Sequence, residues 1–346
     1  MSTTAPHPDP SPILELVEAF RCSKIMFAAL ALGVFDRLAG EPAKVDELAA
    51  DLKVQPDALA RLLDACAHLG LLWPKGERYA VTPVARAYLC RESPRRLTGY
   101  INYSNTILWK LWANLEDAVR EGAHRWKQSF GQEGPIFSAL FRSEEDKREF
   151  LLGMHGYGLI SSPEVVAAFD LSRFRCLVDL GGATGHLAMT ACARYPYLRA
   201  IVFDLPAVVP HAREQIQTSP VAERVEIMAG DFFKDPLPEA DLFALGRIVH
   251  DWSEDKIHTL LRKIYERLPE GGALLIAEKL LNDDKTGPRW AVLQSLNMLL
   301  ATEGKERTLA EYTALLQAAG FQQVEGRRTN SPLDAILAIK SATRSA

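Results

Sequence analysis

The sequence predicts an α/β protein: a parallel sheet covered on both faces in the C-terminal half, behind a small, mainly helical N-terminal domain with a β-wing. Three observations carry this. From Cys176 onward, short apolar runs (CLVDL, AIVFDL, VEIMAG, DLFAL, ALLIAE) alternate with helix-length segments, the pattern of buried parallel strands joined by helices. Residues 45–82 read as two short helices followed by a hairpin. A chain of 346 residues with 48% apolar and 24% charged side chains also holds enough material for two cores.

Taken in order, residues 1–12 alternate proline with small or polar side chains and are expected to form a disordered or extended tail. Ile13, Leu14, Val17 and Phe20 then share one helical stripe. The stretch from Lys24 to Phe35 is apolar on every side, and such a helix must be covered all round. In a small domain spanning residues 13–95 this predicts burial against a second copy, a homodimer. Val45, Leu48, Ala49 and Leu52 make one amphipathic helix and Gln55-Pro56 breaks it. Asp57 is placed to cap a second helix bearing Leu59, Leu62, Leu63 and Cys66. Leu71-Leu72-Trp73 and Arg78-Tyr79-Ala80-Val81 flank the turn Pro74-Lys75-Gly76-Glu77 as a hairpin. Two helices and a wing make a winged helix. Residues 45–69, however, carry Asp46, Glu47, Asp51, Asp57 and Asp64 against only Lys53 and Arg61. A helix that faces phosphates is not acidic, so the domain is expected to act as scaffold or dimerisation unit.

Residues 96–165 read as a helical linker and pocket wall. Ten of the chain's 29 Phe, Trp and Tyr residues fall within residues 100–157. That density suits a bulky helical core or an apolar wall for a flat ligand, and the two are compatible. The sheet domain takes residues 166–346. Within it, FQQVEG (321–326) and AILAIK (335–340) pair across a polar turn as antiparallel strands at the sheet edge.

A formal net charge of −4 speaks against nucleic acid as the main ligand. The longest apolar run, Ile25 to Phe35, falls short of the ~20 residues a membrane-spanning helix needs. No basic segment followed by an apolar one opens the chain, so secretion is not expected. Five scattered cysteines read as reduced core residues of a cytoplasmic protein. No spacing of His, Cys and Asp resembles a metal site, and no metal is expected.

The most informative segment is Val178-Asp179-Leu180-Gly181-Gly182-Ala183-Thr184-Gly185, a strand running into a glycine-rich turn and a helix. Ligands of open α/β sheets sit at such carboxyl ends. The glycines do not fit G-x-G-x-x-G from either start, and no P-loop lysine follows. Asp179 would repel a pyrophosphate but suits a ligand carrying an ammonium or sulfonium. Asp204 ends the next strand, where an acid can accept both hydroxyls of a ribose. Asp231 follows the third and is joined by Phe232 and Phe233, a carboxylate for an adenine amino group beside rings that stack on its face. Three acids at three consecutive strand ends imply S-adenosyl-L-methionine.

The chain resembles the small-molecule O-methyltransferases that carry an N-terminal winged-helix dimerisation domain, and within them the acetylserotonin O-methyltransferases and their methyltransferase-like paralogue. The likeness runs over most of residues 13–340 and rests on FDLPAVV (203–209), GDFFKDPLPEADL (230–242), GRIVHDW (246–252), SLNMLLATEGKERT (295–308) and DAILA (334–338). It implies a Rossmann-like class I methyltransferase sheet. It also implies that Gly181, Asp204, Asp231, Phe232 and Arg247 contact S-adenosylmethionine, and that His250 is the catalytic base with Glu278 and Glu306 flanking it. Asp251 and Asn297 match substrate-side positions, with Met298 beside them. Phe141 stands where acetylserotonin O-methyltransferase has a cofactor-touching tyrosine, Gly158 where it has a tryptophan near the cofactor, and Ala301 where it has a substrate-contacting glutamine. One donor hydrogen bond is lost at Phe141, yet S-adenosylmethionine is still expected as donor; an indole acceptor no longer follows from the resemblance.

Methyl transfer from a sulfonium asks the enzyme for alignment, which can supply ~7–11 kcal/mol, and for removal of a hydroxyl proton. A phenol of pKa ~10 is about 0.1% ionised at pH 7, a penalty of ~4 kcal/mol. A base near neutrality recovers much of that, typically ~10²–10⁴ in rate, and histidine is the natural choice. Glu278 or Glu306 would fix its tautomer by accepting from the other ring nitrogen. His155 reads equally as pocket lining or helix core, and His186 and His211 as structural or exposed. The expected function is methylation of a phenolic or hydroxyindole-like small molecule. Methylation of a thioether on the same scaffold, with no need of a base, is the alternative, followed by a non-catalytic S-adenosylmethionine-binding regulator.

Overall fold

The computed structural model describes residues 8–131 and 143–341. The chain divides into two compact units, residues 1–105 and 106–346.

In the first unit, helix α1 spans Ser11–Ala31 and α2 spans Val34–Gly40. Residues 11 and 12, expected in the tail, belong to α1: the Asp9 carboxylate accepts from the amide and hydroxyl of Ser11 at 3.0 and 2.8 Å, and Pro12 suits the first turn. The apolar run ending at Phe35 is not one helix. Gly33 takes a left-handed backbone (φ 80°) and ends the first segment. Its side chains Phe27, Leu30, Val34 and Phe35 are buried within the unit. The exposed apolar surface lies one step earlier, on Ile13, Leu14, Leu16, Val17 and Phe20, each more than half exposed. Strand β1 (Ala43–Lys44), helices α3 (Val45–Leu52) and α4 (Pro56–His68), and strands β2 (Leu72–Lys75) and β3 (Arg78–Val81) complete a winged helix with sheet order β1-β3-β2. Asp57 does not cap α4. Pro56 occupies the first helical position after Gln55, so Asp57 falls one residue inside and pairs with Arg61 at 2.7 Å. Helices α5 (Pro83–Leu89) and α6 (Thr98–Tyr103) follow.

The second unit opens with short helices α7 (Trp109–Trp112), α8 (Leu115–Glu121) and α9 (Trp126–Phe130), then α10 (Glu144–Ala167). Its sheet comprises β4 (Cys176–Leu180), β5 (Arg199–Asp204), β6 (Val225–Ala229), β7 (Leu242–Gly246), β8 (Ala273–Glu278), β9 (Gln323–Arg327) and β10 (Asp334–Ile339), in the order β6-β5-β4-β7-β8-β10-β9. The first five are parallel, and β10 runs antiparallel to both β8 and β9. The inner strands contribute alternately to two cores. Ala273, Leu275 and Ala277 face one, and Leu274 and Ile276 face the other. Helices α11 (His186–Arg194), α12 (Val209–Gln217), α13 (Glu254–Arg267), α14 (Arg289–Ala301) and α15 (Leu309–Ala319) connect the strands. Strand order reverses between β4 and β7, which opens a crevice at their carboxyl ends. Among the described residues, no helix is long and apolar enough to cross a membrane.

Candidate active site

The glycine turn leaves β4 into this crevice. Gly181 has φ 67°, and a β-carbon there would come within 2.5 Å of Ile248 Cδ1 and 3.4 Å of Phe232 Cε1. The turn therefore touches the loops after β6 and β7, and only glycine fits both the backbone and the gap. Beneath it, Asp179 is 2% exposed, and its Oδ2 has no hydrogen-bond partner among the described residues. Burial pushes its carboxyl up to about 7, the Ala188 amide opposing this and Asp204 reinforcing it. Asp204, ending β5, accepts from Ala183 N at 2.8 Å and Leu205 N at 2.7 Å. Burial raises it to about 6 against the pull of those two amides. Asp231 lies two residues past β6, where Phe233 N donates to it at 2.9 Å and Lys234 pairs with it at 2.8 Å. Burial would raise its pKa, but Lys234 and the Phe233 amide outweigh this and hold it below the usual carboxylate range. The three acids thus stand at or just past the ends of three adjacent strands.

The Phe232 and Phe233 rings meet edge-on with centroids 4.8 Å apart, and both are partly buried against the same core. Phe232 faces the glycine turn. Phe233 also packs edge-on against Trp252, with ring centroids 5.0 Å apart. Arg247 follows β7 with φ 58°, and its guanidinium sits 4.6 Å from the Tyr157 ring centre. Phe141 lies outside the described residues. Gly158 is explained by its neighbour: a β-carbon there would stand 2.3 Å from His186 Cγ. His186, read from sequence as structural or exposed, packs into this space and bonds Ser162 Oγ through Nδ1 at 2.9 Å. Burial holds its pKa down to about 3, with His155 and Arg247 adding to the shift. His155 bonds Thr184 of the glycine turn at 2.8 Å.

His250 lies on a single 3₁₀ turn, Val249–Asp251, just past β7, and is 3% exposed. Its Nδ1 is 2.6 Å from Glu306 Oε1, so the two side chains bond directly. Glu278, at the end of β8, does a different job. Its Oε1 accepts from Ile248 N and His250 N at 3.1 Å each, and its Oε2 accepts from Tyr312 OH at 2.6 Å. It anchors the turn's backbone and adds charge 3.7 Å from Nδ1. Asp251 Oδ1 lies 3.7 Å from Nε2. Burial alone would lower the His250 pKa, but Glu278, Glu306 and Asp251 outweigh it and push it up to about 9. This corrects the expectation of a base near neutrality: three carboxylates surround the ring. Burial raises Asp251 to about 6 against the pull of His250; burial also holds Glu278 above the usual carboxylate range, again against His250.

His250, Glu278 and Glu306 bring one potential metal-ligating atom each within 4.8 Å of one another. Here the His250 and Glu306 atoms bond each other and Glu278 is held by Tyr312 and two amides, the pattern of base and orienter. The 302–308 segment is stitched to this turn through Glu303 N to Asp251 O at 3.1 Å, and to the chain just past β8 through Leu281 N to Arg307 O at 3.0 Å. On α14, Asn297, Met298 and Ala301 are buried. Asn297 Oδ1 accepts from Trp112 Nε1 at 2.9 Å, and Ala301 O accepts from Trp126 Nε1 at 2.8 Å. Sequence reasoning missed Trp112, Tyr312 and the role of His186. The glycine at 158 was the one signal pointing to the last.

The chain matches two family models, an O-methyltransferase dimerisation domain over residues 14–91 and an O-methyltransferase domain over residues 112–322. It is 41% identical to acetylserotonin O-methyltransferase of Gallus gallus over 338 residues, 96% of this chain and 97% of the relative. It is also 41% identical to the probable bifunctional dTTP/UTP pyrophosphatase/methyltransferase protein of Homo sapiens over 97% of this chain, and spans 54% of that longer protein. The crystal structure of human N-acetylserotonin methyltransferase in complex with SAM superposes with a TM-score of 0.92 at 38% identity, covering 98% of this chain and all (100%) of that one. PigF with SAH gives 0.88 at 29% identity, covering 96% and 100%. Matched in both of its units and alike to these relatives nearly end to end, the chain is an enzyme of the O-methyltransferase family.

Proposed function

We propose that this enzyme methylates a hydroxyl of a small aromatic molecule, with S-adenosylmethionine as donor and His250 as general base. One observation carries the reading: the 2.6 Å bond between His250 Nδ1 and Glu306, on a turn pinned by Glu278 beside the glycine loop. In the unprotonated ring Glu306 accepts the hydrogen bond from Nδ1–H, which leaves the Nε2 lone pair to take the acceptor's hydroxyl proton.

The residues at the glycine turn fit the donor. Asp179 carries a buried carboxylate oxygen without a partner among the described residues, suited to an ammonium, while Asp204, Asp231, Phe232 and Arg247 stand at the neighbouring strand ends. Bound there, S-adenosylmethionine supplies a methyl group already activated on a sulfonium. The chain itself supplies alignment, a dry surrounding and a place for the proton. Asp251, Asn297 and Met298 are assigned to the acceptor side. Trp112 beside Asn297, and the Tyr157 and Trp290 rings stacked at 5.8 Å, favour a flat acceptor. The relatives named for acetylserotonin support an aromatic one.

The exposed apolar stripe of α1 and the matched dimerisation domain favour a homodimer. Five free cysteines favour a reducing, cytoplasmic setting. The test of the base is His250→Ala. Turnover of a hydroxyl acceptor should fall ~10²–10⁴-fold, with S-adenosylhomocysteine binding retained; near-normal turnover refutes the assignment.

A further inference from the structure

Helix α14 ends at Ala301, immediately before the segment that grips the His250 turn through Glu303 and Glu306. Asn297 lies one turn before that end, on the buried face, 8% exposed. Its Oδ1 faces Trp112 Nε1 at 2.9 Å. An indole N–H only donates, so this contact fixes which end of the amide points at the tryptophan. The oxygen is used, and the two amide N–H groups face away from Trp112, with no partner among the described residues. The same helix end is held by Trp126 Nε1 to Ala301 O at 2.8 Å and Arg125 N to Leu300 O at 3.0 Å.

We infer that Trp112 is a positioning residue that holds the Asn297 amide with its N–H groups toward the acceptor, so that the enzyme selects hydroxylated aromatics carrying a second, hydrogen-bond-accepting atom such as a carbonyl oxygen. This rests on the hydroxyl-methylation reading above. A buried donor that meets no acceptor loses its water without replacement, so molecules lacking that atom are disfavoured. Without the indole N–H, the amide is free to turn and present oxygen as readily as nitrogen.

Two ring-matched phenols, 4-hydroxyacetophenone and 4-ethylphenol, test this by separate KM and kcat measurements with S-adenosylmethionine. The wild-type KM should be about tenfold lower for the ketone. Trp112→Phe keeps the ring and removes the N–H; it should erase that preference through KM, with the affinity for S-adenosylhomocysteine unchanged. Asn297→Asp still accepts from Trp112 but has no N–H to offer, and should erase the preference even if the tryptophan variant folds poorly. Methylation of both phenols with equal KM, or a preference that survives both substitutions, overturns the inference and leaves the hydroxyl reading standing. Methylation of neither phenol, with hydroxyindoles and hydroxyquinolines also inert, overturns the reading and the inference together.

Discussion

Glu306→Gln is the most instructive substitution. Glutamine keeps an oxygen that accepts from His250 Nδ1 and deletes the charge 2.6 Å away. In the native protein His250 is pushed up to about 9, because Glu278, Glu306 and Asp251 together outweigh its burial. About 1% of such a ring is unprotonated at pH 7, so methyl transfer to a phenol should rise about tenfold per pH unit and level off near 9. Two unit charges ~4 Å apart interact by about 4 kcal/mol at an effective dielectric of ~20, roughly three pH units. Glu278 and Asp251, each 3.7 Å from a ring nitrogen, remain and keep part of the shift. The rising limb should therefore move down by about one to two pH units. Single-turnover transfer between pH 6 and 10, at saturating acceptor, measures it. A limb that stays in place in Glu306→Gln refutes the argument. A flat profile in both proteins points to a soft acceptor such as a thioether, which has no proton to lose. The same shift acts on stability: it contributes fully below the unfolded pKa of ~6.5 and is lost as pH rises through about 9.

Three further outcomes follow from the geometry. Asp179 is raised from 3.8 to about 7, so its contribution is present below 3.8 and lost as pH rises through 7; Asp179→Asn should stabilise the ligand-free protein above pH 7, by at most about 4 kcal/mol, while weakening donor binding. A ligand-free melting temperature that falls contradicts this. Gly158→Ala drives a β-carbon into His186 and should cost ~1–3 kcal/mol in urea unfolding; adding His186→Ala should recover part of that loss, and simple additivity of the two would speak against the packing account. Val17→Glu with Phe20→Glu places charge on the exposed stripe of α1 and should yield monomers in sedimentation, whereas an unaltered dimer would locate the interface elsewhere.

The sheet was legible because its inner strands are short apolar runs buried on both faces, and the three acids because each stands at or beside the end of such a run or of its neighbour. Element ends were less so. Pro56 displaced Asp57 from the cap, and Asp9 carried helix α1 back to Ser11. The site was legible only in part, for a physical reason. Glu306 reaches His250 across 56 positions and Glu278 across 28, so local pattern carries no trace of either contact, and the resemblance alone brought them together. The basicity of His250 is a sum over those distant charges, which is why the expectation of a near-neutral base failed. Trp112 meets Asn297 across 185 positions, and its role appears only once helices α7 and α14 are packed.

Calorimetric titration of the purified protein with S-adenosylmethionine at pH 6 and pH 8 tests the donor site most directly. Saturable binding is expected, tighter at pH 8 because the Asp179 carboxyl is then ionised to meet the donor's ammonium. No heat with this compound or with S-adenosylhomocysteine, alongside firm binding of a phosphate-bearing nucleotide, would contradict it.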